Sequence, residues 1–229
     1  MTTIQDCAPT SCLALPEPIR AGHIEYLALR QTTNMDKREQ IFEATLQLVL
    51  QEGFYHLNMK KVAKAAGVAV GTTYLYFASK EELILELHNH VRRQYLGAVL
   101  EAPAPEPDLL RTLQGMARNY LHFFLQRPAY FGFLQQFRAS PFSFKEKETH
   151  ALLMEPLQAL VEQARAQGLV KNLPTGVLFA LVLGPIYEAF ALWQEGQVDL
   201  QLPDVQHQLL TACFDAVCPP VVAAGMRFA

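Results

Sequence analysis

Apolar side chains recur every three to four positions along most of the chain after residue 35, and no stretch sustains the two-residue alternation of a strand. From Asp36 to Glu52 the pattern places Ile41, Phe42, Leu46, Leu48 and Val49 on one wide stripe, and Gly53 marks its end. Asn58 predicts the N-cap of a short helix running to about Ala66, with Gly67 as the C-terminal break. A second short helix is expected over about Val70 to Phe77. Ser79 and Glu82 then make a capping-box pattern that starts a long helix toward Leu100. Beyond a hinge at Pro103, Pro105 and Pro107, the period predicts helices near 108–126, 128–138, 146–167, 174–195 and 203–217, with a loop around Phe142. The expectation is an all-α chain of about nine helices.

Two segments could be mistaken for membrane or export signals. Residues 1–34 hold three prolines and no sustained period, so they predict a flexible extension. Their longest apolar run, Cys12 to Leu15, is closed by Pro16, and Asp6 precedes any basic residue; export is not expected, and the location implied is cytoplasmic. Met35, opening the periodic region, is a candidate physiological start. Val177 to Trp193 carries Glu188 as its sole charge, but Gly184-Pro185 interrupts it and it is shorter than the roughly 20 residues a spanning helix needs. A bundle helix or subunit interface is the better expectation, with no membrane partner.

Composition narrows the class. With 51% hydrophobic and 18% charged residues, the 229-residue chain has ample core material and is too apolar for disorder. Four cysteines do not make a disulfide scaffold at this length. The net charge of -3 argues against a basic nucleic-acid wrapper, but it is unevenly distributed. Residues 1–34 carry a net of -1, residues 35–80 a net of +2, and residues 81–229 a net of -4. Between Gly53 and Lys80, Lys60, Lys61, Lys64 and Lys80 face no acidic residue of the same segment.

That basic segment has helix-turn-helix organisation over about 59–77: two short helices joined by the turn Ala66-Gly67-Val68-Ala69. On a helical wheel, Val70, Thr73, Tyr74 and Phe77 cluster on one side, where they can pack on Val62, Ala63 and the opening helix. Gly71, Thr72, Leu75 and Tyr76 point the other way. Small and hydroxyl-bearing side chains there permit close approach to a major groove, and Leu75 offers apolar contact to a thymine methyl. Lys60 and Lys61 open the first short helix. Lys80 stands at the start of the long one, within reach of a phosphate.

The run from Gly67 through Tyr74 and Phe77 to Ser79-Lys80-Glu81-Glu82-Leu83 closely resembles the signature of the tetracycline-repressor (TetR) family of one-component transcriptional regulators. The similarity spans about Ile41 to Leu87 and joins a turn, a helix and a capping box at fixed offsets. It implies a DNA-binding domain over 35–82 and a ligand-binding and dimerisation domain over 83–229. By motif position, Tyr74 and Lys80 correspond to phosphate contacts, and Val70, Gly71 and Thr72 to the base-proximal part. Asn58 stands where the family usually has Thr. Ala69 replaces the usual Ser, removing a cap hydroxyl, and Tyr76 takes a position often held by His. The Tyr74 ring is expected to be half-buried with its hydroxyl at the DNA backbone.

In the C-terminal part, nine aromatic residues lie between Tyr120 and Phe144. Because the resembled family commonly carries an effector pocket there, this density implies a small apolar or aromatic ligand, with Tyr120, Phe123, Phe124, Phe131, Phe137 and Tyr187 as candidate contacts. His122, Arg118 and Arg138 are candidate polar anchors, although a lone His or Arg in such a place is more often a satisfied or surface residue. The last two predicted helices resemble the pair that dimerises in the family, with Leu181, Pro185, Phe190 and Trp193 as candidate interface residues alongside Leu178 and Val182. Glu188 must meet a partner, the pocket or water.

Catalytic patterns are missing from the sequence: no phosphate-cradling loop, G-x-S-x-G elbow or H-E-x-x-H helix, and cysteine spacings that do not suit zinc. The expectation is a non-enzymatic, cofactor-free, ligand-responsive repressor that binds a pseudo-palindromic double-stranded operator as a homodimer. The alternatives are an apolar-ligand carrier with a non-functional DNA-binding head and, less consistent with these absences, an enzyme acting on an aromatic substrate.

Overall fold

The computed structural model describes residues 36–101, 108–145 and 147–223. The expected extension at 1–34, Met35, the prolines of the expected hinge, and Cys7 and Cys12 lie outside the described residues. Ten α-helices follow one another: α1 (Lys37–His56), α2 (Met59–Ala65), α3 (Val70–Tyr76), α4 (Lys80–Leu100), α5 (Leu109–Gln126), α6 (Pro128–Arg138), α7 (Lys147–Ala166), α8 (Thr175–Gln194), α9 (Pro203–Val217) and the short α10 (Pro220–Ala223). Where a loop was expected around Phe142, residues Pro141–Lys145 form a 3-10 turn.

Local chemistry accounts for the boundaries. Asp108 Oδ1 accepts the N–H of Leu110 at 2.9 Å to open α5, and Pro128 and Pro203 occupy the first turns of α6 and α9, where a missing N–H costs nothing. Gly53 sits within α1 at φ 74° and ψ 172°, outside helical values, so the regular helix stops there and only a final turn follows. Gly67, at φ 68°, supplies the left-handed residue that turns α2 toward α3.

Two cores result. The first joins Ile41, Phe42 and Val49 of α1, Val62 of α2, Phe77, and Leu83, Ile84, Leu87 and Val91 of α4. The second fills the C-terminal body around Leu121, Phe124, Phe131, Ile186, Phe190, Leu200 and Phe214. α6 belongs to both: Phe131 lies in the second core, whereas Phe133 and Phe137 are buried in the first. Where α6 crosses α1, a Cβ on Gly132 would come within 2.9 Å of Leu50 Cδ2, so the close approach depends on the absent side chain. Phe54 packs edge-on to Phe133 and Phe137, with ring centroids 5.8 and 6.3 Å apart. The head therefore rests on α6 as well as on its own three helices.

α8 packs along α9 but keeps one side open. Val177, Ala180, Gly184, Pro185 and Glu188 recur at helical spacing and are exposed in the single chain. This helix is long and apolar enough to cross a membrane by length and composition alone.

Candidate nucleic-acid interface and inner cavity

The reading head is assembled by caps. Asn58 Oδ1 accepts the backbone N–H of Lys61 at 3.0 Å and starts α2, which sets Lys60, Lys61 and Lys64 on an exposed side. Ser79 Oγ accepts the N–H of Glu82 at 3.1 Å. The Glu82 carboxylate reaches back to the N–H of Ala78 at 2.6 Å, one residue earlier than in the usual reciprocal box. Ala69 caps α3 without a side-chain hydrogen bond, as its missing hydroxyl requires.

α3 buries only a narrow edge. Thr73 is fully enclosed and its hydroxyl donates to the carbonyl of Val70 at 2.7 Å; Phe77, just past the helix, packs on Phe42 with centroids 5.3 Å apart. Tyr74 is 53% exposed and Leu75 85% exposed, and Gly71 and Tyr76 are also exposed. Val70, which the wheel assigned to the packed side, is exposed at the N-terminal end of the helix. A seven-residue helix presents its first residue beyond the reach of the core below it. Gly71 has open space where a Cβ would stand, so nothing within the chain blocks approach to that turn.

The lysines are not equivalent. Lys61 Nζ pairs with the Glu52 carboxylate of α1, which lies one residue outside the segment that lacks acidic residues. Lys80 Nζ lies 3.4 Å from the carbonyl oxygen of Phe54, to which it donates while remaining partly exposed. Lys60 and Lys64 are exposed.

An apolar cavity of about 130 Å³ lies in the C-terminal body. Its wall draws Tyr95, Leu96 and Val99 from α4, Met116 and Tyr120 from α5, and further residues from α7, α8 and α9. Of the aromatic candidates, Tyr120 is on that wall. Phe123, Phe124 and Phe131 pack in the surrounding core, and Phe137 lies in the core of the head. Tyr187 stacks at a tilt on Phe131 at 4.8 Å, with the Arg138 guanidinium 5.7 Å above its ring. His122 Nε2 is 3.0 Å from Gln206 Oε1. The aliphatic wall, including Leu96, Val99, Met116 and Leu178, escaped the sequence reading because its periodicity is that of any core.

On α8, Pro185 is exposed, Leu181 and Trp193 are partly buried, and Phe190 is fully enclosed within the chain. Leu178 and Val182 line the cavity. Glu188 is exposed. Cys213 and Cys218 are buried and unbridged, and no cluster of metal-ligating side chains occurs among the described residues.

A helix-turn-helix whose second helix is bared beside exposed lysines, mounted on a helical body, defines a DNA-binding regulator of transcription. Residues 41–87 match the family described as bacterial regulatory proteins, tetR family, and residues 109–218 match the tetracyclin repressor-like C-terminal domain. The chain is 34% identical over 151 residues to an uncharacterized HTH-type transcriptional regulator of Haemophilus influenzae, covering 65% of this chain and 78% of that one. A TetR-family regulator from Marinobacter aquaeolei superposes with a TM-score of 0.73 at 27% identity, over 80% of this chain and 95% of that chain. One from Haemophilus influenzae superposes at 0.68 and 26% identity, over 80% and 97% respectively. The chain belongs to the TetR family of transcriptional regulators.

Proposed function

We propose that the chain is a ligand-responsive, non-enzymatic cytoplasmic repressor that binds a pseudo-palindromic operator as a homodimer and is released by a small apolar or aromatic effector. Residues 35–82 act as the DNA-binding unit and residues 83–229 as the ligand-binding and dimerisation unit. Val70, Gly71, Thr72 and Tyr76 meet base edges, while Asn58, Lys60, Lys61, Tyr74 and Lys80 meet the phosphate backbone.

The carrying observation is that one helix serves both ends. α4 begins at Lys80, beside the recognition helix, and its far half supplies Tyr95, Leu96 and Val99 to the cavity wall. Its 21 residues extend about 30 Å, so a tilt imposed at the cavity displaces the head. Effector and operator then favour different tilts, and each weakens the other's binding by the same factor.

The open side of α8 supports the dimer. Val177, Ala180, Leu181, Gly184 and Pro185 form an apolar strip with small residues at its centre, suited to close helix packing against a second copy. Phe190 and Trp193 brace this strip, their rings 6.0 Å apart. Glu188, exposed at its edge, remains hydrated.

Selection of bound sequences from a random duplex pool tests the proposal. The expected product is two inverted half-sites whose centres are about one helical turn, 34–36 Å, apart or a multiple of it. A pool without enrichment sinks the DNA-reading role and favours the ligand-carrier alternative. Substituting Thr72 is expected to change the enriched sequence rather than abolish enrichment.

A further inference from the structure

The chemistry of the cavity wall narrows what it can hold. Among the described residues, the seventeen that line it are apolar or tyrosine, and none of these carries a charge. A carboxylate, phosphate or ammonium group placed there would lose its hydration with no countercharge to replace it, a cost of several kcal/mol. Among the described lining residues, Tyr95 and Tyr120 are the two that carry side-chain hydroxyls.

Of these two, Tyr120 is open to a ligand. Its ring is fixed edge-on by Tyr95 and Phe124, with centroids 5.9 and 4.9 Å away. Its phenol lies on a wall of apolar side chains and aromatic rings. Burial pushes the phenol well above the ordinary tyrosine range, so it stays protonated and able to donate. A ligand oxygen that accepts from this partly buried hydroxyl would gain a hydrogen bond in low-dielectric surroundings.

Size sets the other limit. An apolar cavity of about 150 Å³ accommodates benzene. At about 130 Å³ this one holds a body of similar scale, about six to eight non-hydrogen atoms, with Met116 and Met154 able to adjust to its outline.

We infer that the effector seat takes a small uncharged molecule with an apolar body and one hydrogen-bond-accepting oxygen directed at the Tyr120 hydroxyl. This rests on the proposal that the cavity is the effector site, and it excludes anionic and cationic ligands from that seat.

Calorimetric titration of the full-length protein without DNA tests it, using hexan-2-one, hexanoate and benzene at neutral pH. Hexan-2-one and benzene are expected to bind, and hexanoate to bind at least tenfold more weakly than the ketone. Tyr120→Phe should weaken hexan-2-one about five- to tenfold, the worth of one hydrogen bond, and leave benzene unchanged. Ala117→Leu, which fills the cavity, should abolish both. Hexanoate binding as tightly as the ketone, no ketone binding, or an equal loss of ketone and benzene in Tyr120→Phe would each overturn the inference.

Operator binding measured in parallel separates the two readings. Ketone binding with full dependence on Tyr120 but unchanged operator affinity removes the effector role and leaves the cavity chemistry standing. Operator release by hexanoate, with hexan-2-one unbound, keeps the regulator and overturns the neutral-ligand seat.

Discussion

The imidazole of His88 lies flat on the ring of Phe137, with centroids 3.8 Å apart and planes 9° from parallel. His88 is on α4 and Phe137 on α6, so this stack joins the helix that follows the helix-turn-helix to the helix shared by the two cores. Phe137 is 3% exposed, and its neighbours close around it. Phe137→Ala is expected to cost about 3–5 kcal/mol, as a large cavity left in a packed core does. A urea titration that shows a loss below about 1 kcal/mol would contradict this placement.

Neutralising a charge on α1 and one at the start of α4 should have opposite outcomes. Lys80→Ala should weaken binding to all duplexes and flatten the dependence of log K on log salt by about one. Glu52→Gln should do the opposite. It frees the Lys61 ammonium that Glu52 now engages and removes a negative charge from the DNA-facing side. Salt titrations of the two variants should bracket the parent; a Glu52→Gln protein that binds more weakly would mean that Lys61 is held in place for DNA by this pair.

Ala180 stands in the middle of the open strip on α8. Ala180→Arg inserts a long charged side chain where a second copy is expected to pack closely. Sedimentation should show a monomer, circular dichroism an unchanged helix content, and operator binding should be lost. A folded dimer from this variant would move the interface elsewhere.

His90 gives the fold an acid-sensitive element. Burial lowers its pKa, partly offset by the Glu39 carboxylate 3.6 Å away, while Arg93 and Arg38 lower it further. The folded state thus holds its proton less tightly than the unfolded chain, so the stabilisation is complete above the unfolded value of about 6.5 and lost as pH falls below it. Between pH 7 and 5, His90→Gln should show a shallower decline in unfolding free energy than the parent. Parallel slopes would remove His90 from the acid response.

Burial pushes the thiols of Cys213 and Cys218 up to about 11. At pH 8 only about one thiol in a thousand would be the reactive thiolate. Peptide mapping after brief iodoacetamide treatment should find both cysteines unmodified in native protein and alkylated in urea. Rapid native labelling would reveal opening of the α9 region.

Helix positions were legible because their punctuation is local. Gly53, Gly67, Asn58 and Ser79 act on adjacent backbone groups, and each does in the structure what its chemistry predicts. The recognition helix was legible for the same reason, apart from Val70, whose exposure depends on how short α3 is. The cavity was not legible. The dense aromatics from Tyr120 to Phe144 drew attention, yet only Tyr120 among the named candidates lines it, because aromatic density does not specify a helix face. Its wall is shared by α4, α5, α7, α8 and α9, and only the tertiary arrangement brings these apolar stripes to one space. The Lys61–Glu52 pair lay across the edge of a segment counted by charge, although its partners are nine positions apart.

The division of α6 between two cores has a thermodynamic consequence. Phe131 and Phe133 point into different halves of the molecule from opposite faces of one turn of a rigid rod, and that rod cannot melt on one side alone. The helix-turn-helix head and the C-terminal body therefore unfold as one cooperative unit, and heating should produce a single calorimetric endotherm rather than two. A ligand that tightens the body then raises the melting point of the head as well, even though it touches no residue there.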